Sequence, residues 1–182
     1  MSAQVPDGLS ANAPVRVANP FLNIEASTPI SNNWCVIGMN TVNFSFICKI
    51  DHFSLLKEKT GQCLESSSFF AGPHNDFEWR LLVYPKGYKE DNKDFLSLFL
   101  KLVSCKRNEA EITIKFTFSI LNEKNEKSYV LGDGDELDRF TVGQYWGWRT
   151  FIALDALQKK SKGLLPDDSL IILCEGCIAR GS

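Results

Sequence analysis

Few residues in this sequence could do chemistry. The 182 residues include two histidines, His52 and His74, one closing an alternating run and the other in a Gly-Pro loop. A general base or a histidine metal site needs imidazoles grouped with carboxylates, thiols or a nucleophile, and no matched set is visible. Cys174 and Cys177 have C-x-x-C spacing, but they fall in "SLIILCEGCIA", an extended run in which residues three apart point to opposite faces. No second pair lies nearby. "DGDELD", 133–138, opens like a calcium loop, then places Leu137 where a polar ligand is needed and lacks the closing glutamate. The expectation is therefore no enzymatic activity, no metal and no other cofactor. What remains is binding chemistry. "GQYWGWRTF", 143–151, sets Tyr145, Trp146, Trp148 and Phe151 among two glycines, Gln144 and Arg149.

The elements that would carry these aromatics alternate with period two. "FSFICKI" sets Phe44, Phe46, Cys48 and Ile50 on one side. "FEWRLLVY" does the same with Phe77, Trp79, Leu81 and Val83, and "EITIKFTFSI" with Ile112, Ile114, Phe116, Phe118 and Ile120. Turn-forming stretches separate these runs: "AGPHND", "PKGYKEDNKD", "LNEKNEKS" and "LGDGDELD". Short strands at this spacing predict an all-β fold, an antiparallel sandwich of about seven to eight strands. One short helix is expected near the C-terminus, where "FIALDALQKKSKG" repeats Ile152, Leu154 and Leu157 and stops at Gly163. Residues 1–33, rich in Ala, Ser, Pro and Asn, read as a flexible tail. Residues 34–179 read as the domain, and 180–182 as vector sequence or a truncation point.

Composition narrows the function classes. With 44% apolar and 23% charged residues the chain can bury a core, and a net charge of −2 gives no basis for nucleic-acid binding. No run approaches the length of a membrane span and no signal peptide opens the chain, which predicts no membrane partner and a nuclear or cytoplasmic location. In such a compartment the six cysteines are expected to be free thiols.

One strand contains a conflict. In "KDFLSLFLKLVSC" the residues Leu96, Leu98, Leu100 and Leu102 form a complete buried face, which leaves Phe99 with Ser97 and Lys101 on the polar face. If Phe99 met Trp146 and Trp148, the three would form an apolar groove on a sheet surface. The segments "NFSFICKIDHFS", "FEWRLLVYPKG", "KDFLSLFLKLVSC", "FTFSILNEK", "RFTVGQYWGW" and "GLLPDDSLIILCE" resemble, in order and spacing, the MATH domain of the speckle-type POZ proteins over about residues 34–178.

That resemblance implies a TRAF-like sandwich holding extended Ser/Thr-rich substrate peptides in a shallow groove. It also implies the substrate-recognition role in a cullin-RING ubiquitin ligase adaptor, hence ubiquitination and proteasomal degradation of what is bound. The cullin would be reached only through a BTB domain, which these 182 residues do not include.

The family's groove positions fall on Phe99, Phe116, Trp146 and Trp148. Phe116 belongs by periodicity to the core face, so a groove role requires a bulge or a rim position. Asp138 stands where the family has a tyrosine, and Gln144 and Tyr145 where it has Lys-Asp, which predicts a changed peptide preference. The glycines, Gly147 among them, are expected to let a peptide backbone come close. Alternatives from other classes are a TRAF-type scaffold for receptor tails and an intracellular carbohydrate-binding sandwich.

Overall fold

The computed structural model describes residues 41–106, 111–132 and 137–179. Ten strands and one helical turn are built from them: β1 (Thr41–Ile50), β2 (Leu64–Glu65), β3 (Phe69–Ala71), β4 (Phe77–Tyr84), β5 (Phe95–Cys105), β6 (Ile112–Leu121), β7 (Lys127–Leu131), β8 (Asp138–Phe140), β9 (Tyr145–Ala153), α1 (Leu154–Leu157) and β10 (Leu170–Ala179). All strand pairings among the described residues are antiparallel. One sheet runs β1-β10-β6-β7, with β8 also on β6; the other runs β2-β4-β5-β9, with β3 also on β4. In each sheet two short strands share one edge position, so the ten segments fill eight places. This is the expected all-β antiparallel sandwich.

The buried faces are those that alternation marks. Phe77, Trp79, Leu81 and Val83 of β4 and Leu96, Leu98, Leu100 and Leu102 of β5 are at most 3% exposed. They meet the β6 row Ile112, Ile114, Phe116, Phe118 and Ile120 across a single apolar layer. Trp79 stacks on Phe44 and meets Phe140 edge-on, ring centres 6.4 and 5.2 Å apart, so the largest side chain of the core touches both sheets. Cys174 lies wholly within this layer, where burial pushes its thiol pKa up, while Cys177 sits half-buried one face away. The five described cysteines are free thiols.

The helix is shorter than the apolar pattern predicts. Phe151 and Ile152 stay in β9, Ile152 opposite Leu96 and Ala153 opposite Phe95, and only Leu154–Leu157 turns helically. A further 3-10 turn at Lys160–Lys162 ends at Gly163 in the left-handed conformation. Strand pairing captures the first turn of the expected helix because Phe151 and Ile152 are buried by the sheet.

Candidate functional site

Among the described residues β9 lies at the end of its sheet, paired only with β5, so alternate backbone groups along it point away from the other described strands of that sheet. The Phe151 carbonyl is an exception, accepting the Tyr129 hydroxyl of the opposite sheet at 2.7 Å. A turn starts the strand: Gln144 donates its N–H to the Thr141 carbonyl, and Gly143 takes φ +91°. The Gln144 side chain folds back to accept the Thr141 N–H at 3.1 Å. The Gln144 side-chain oxygen therefore closes a turn.

Register decides which way each aromatic points. Trp148 lies opposite Leu98 and Trp146 opposite Leu100, on the face turned toward the other sheet. Trp148 fills the gap between the sheets, edge-on to Phe116 and Phe118 at 5.6 Å each. Trp146, one pleat nearer the strand's start, remains 47% exposed. Tyr145, Gly147 and Arg149 take the outer face, with Gly147 opposite Phe99 and Tyr145 opposite Lys101.

Phe99 is not an exposed apolar group. It is 5% exposed, forming a floor beneath Tyr84, Tyr88 and Tyr145, whose ring centres lie 5.8, 5.3 and 5.5 Å away. The expected trio of Phe99, Trp146 and Trp148 does not share one face: Phe99, opposite Gly147, lies on the outer face, while both tryptophans lie on the face turned toward the other sheet.

Phe116 is likewise corrected: it is 3% exposed, no bulge brings it to the rim, and it backs Trp148 from within the core. Gly147 also has a role within the sheet. A Cβ there would come within 2.7 Å of the Phe99 Cα and strike the Leu98 carbonyl, so the glycine serves the approach of β9 to β5. Asp138, half-buried on β8 opposite Ile114, does not line the outer pocket.

That pocket, about 230 Å³, is walled by Tyr88, Phe99, Tyr145, Trp146, Gly147 and Arg149. The Tyr88 and Tyr145 hydroxyls lie 2.9 Å apart. The hydrogen bond with Tyr88 raises the Tyr145 pKa above the usual phenol value. Tyr88 and Arg149 are tied together by Ser97, which is fully buried: its hydroxyl accepts the Tyr88 N–H and donates to the Arg149 carbonyl. The Arg149 guanidinium lies 5.8 Å from the Tyr88 ring centre.

Sequence reasoning missed Tyr88, Ser97 and Arg149 as parts of the site. Alternation from Tyr145 through Gly147 places Arg149 on the same face. Tyr88 sits in a turn stretch without periodicity and left no comparable signal.

Two larger depressions, about 390 Å³ beside β1 and β2 and about 410 Å³ over β1, β10 and β6, hold no exposed aromatic ring. His52 and His74 are exposed turn residues with positive φ. Among the described residues no group of three His, Cys, Asp or Glu could hold a metal ion, and no helix is long and apolar enough to cross a membrane. Most of "DGDELD" lies outside the described residues.

The geometry is that of an edge strand bordered by aromatics, and a family model of the MATH domain matches residues 45–175. The chain belongs to the MATH domain family. The solved structure of Notothenia coriiceps TRAF5 is similar in fold, with a TM-score of 0.55 and 21% identity over 72% of each chain. MATH and TRAF-like domains are protein-interaction modules, and this MATH domain is accordingly a protein-binding module whose geometry gives no indication of catalysis.

Proposed function

We propose that this MATH domain is the substrate-recognition part of a speckle-type POZ-like adaptor of a cullin-RING ubiquitin ligase. It binds an extended, Ser/Thr-rich peptide along the β9 edge. The observation that carries the reading is Trp146: a tryptophan 47% exposed, on an edge strand and beside an aromatic pocket, is only partly used by the protein's own packing. Main-chain hydrogen bonds to the free side of β9 supply affinity, and the aromatic walls select side chains. The nuclear or cytoplasmic location and the link to a cullin through a BTB domain are parts of the same proposal, drawn from the sequence resemblance.

The test is fluorescence-polarisation titration of a labelled Ser/Thr-rich peptide against the intact chain and against Trp146→Ala. Saturable binding by the first, weakened about tenfold or more in a variant with an unchanged melting temperature, is the expected result. Equal binding by both proteins would place the peptide elsewhere.

A further inference from the structure

The outer pocket has a charge asymmetry that a groove for uncharged Ser/Thr side chains does not require. Arg149 lines it, and Lys101 lies on the same face opposite Tyr145. The Lys89 ammonium is 5.6 Å from the Tyr88 ring centre. No ion pair engages Arg149, Lys101 or Lys89 among the described residues. The carboxylates of β2 and β4 are already held: Glu65 by Arg80, and Glu78 by the Ser68 and Ser104 hydroxyls. Among the described residues no carboxylate lines the pocket.

The donors are aimed as well as charged. In the Tyr88–Tyr145 pair one hydroxyl donates to the other, so one of the two protons remains to be given to a third group. Arg149 lies near the ring of Tyr88, while the N–H groups of a guanidinium lie in its own plane and form a fork suited to a carboxylate. Ser97 fixes the backbones of Tyr88 and Arg149 to each other, so this arrangement is assembled before any ligand arrives.

We infer that this pocket selects an acidic side chain, Asp or Glu, of the bound peptide, with Arg149 as the specificity-determining residue and the tyrosine pair as the second donor. The inference rests on the peptide-binding reading above and narrows its ligand: the Ser/Thr-rich segment carries a carboxylate at the position lying over Tyr145 and Gly147. Such a preference separates this domain's targets from neutral Ser/Thr-rich segments, because in those peptides the Arg149 fork and the free phenol proton go unmatched.

The experiment is selection from a displayed library of random octapeptides on the intact 182-residue chain and on Arg149→Gln. The selected sequence is then synthesised in Glu and Gln forms for fluorescence polarisation. Because Arg149 is exposed, the substitution leaves the fold intact, to be checked by melting temperature. Enrichment of Asp or Glu at one position is expected. The Glu form should bind the native chain about threefold to tenfold more tightly than the Gln form, the gap narrowing in high salt and closing in Arg149→Gln. Selection of a consensus without an acidic position, or a Glu-to-Gln ratio unchanged by Arg149→Gln, would overturn this inference and leave peptide binding standing. Selection of no peptide would overturn both.

Discussion

Trp146 and Trp148 are two residues apart, point to the same side of β9 and do different jobs. Trp148 packs against Phe116 and Phe118, so Trp148→Ala should cost about 2 kcal/mol or more of stability in urea unfolding, the lower part of the range for large aromatic truncations because the ring is only half-buried. Trp146→Ala should leave stability within about 0.5 kcal/mol, as for other surface substitutions, and weaken binding about tenfold or more. Gly147→Ala should destabilise by about 1–3 kcal/mol in the same measurement, since its methyl would press on the β5 backbone. A smaller cost would mean that β9 can move away from β5. That the aromatic stretch forms a strand was legible in the sequence. Its division into an inward and an exposed tryptophan required the register with β5, which fixes what lies opposite each residue.

The elements around the pocket depend on a few hydroxyls and carboxylates. Ser97 falls on the face that alternation marks as polar, yet it is fully buried, because the 85–94 turn folds Tyr88 over it. Ser97→Ala leaves the Tyr88 N–H and the Arg149 carbonyl without this partner. It should lower stability by about 1–3 kcal/mol and weaken peptide binding together with it.

On the neighbouring strand, hydrogen bonds from Ser68 and Ser104 hold the Glu78 carboxyl pKa below its usual 4.5. A depressed pKa stabilises the fold at pH above 4.5, and that contribution is lost as pH falls through the lowered value. Melting curves from pH 7 to pH 3 should therefore show a smaller acid-induced loss for Glu78→Gln than for the native chain. An identical loss would mean that the serine contacts do not distinguish the two protonation states. Long strands were readable because alternation persists over eight or more residues. β2, β3 and β8 are two or three residues long, too short to show a period, and β9 took over the start of the expected helix because Phe151 and Ile152 gain more from the sheet.

At the scale of the molecule, the core and the proposed binding pocket occupy different layers. The core between the sheets is continuous from Phe44 to Phe151, and Phe118→Ala at its centre should cost about 3–5 kcal/mol by urea unfolding. The outer pocket instead rests on the second, smaller cluster of Leu82, Tyr84 and Phe99. Substitutions of exposed groups over that cluster should change peptide selection with little effect on the core. The sandwich was legible because a two-layer core needs only one buried face per strand. The pocket was not, since it combines a turn, a strand interior and an edge strand far apart in sequence.

The most direct test of the account is an amide nitrogen–proton NMR titration of the labelled chain with the Ser/Thr-rich peptide. The account predicts that signals from Tyr145 to Arg149, with Tyr88 and Phe99, shift in a saturable way while β1 and β2 at the opposite edge stay unmoved. Shifts confined to β1 and β2, or none at saturating peptide, would contradict it.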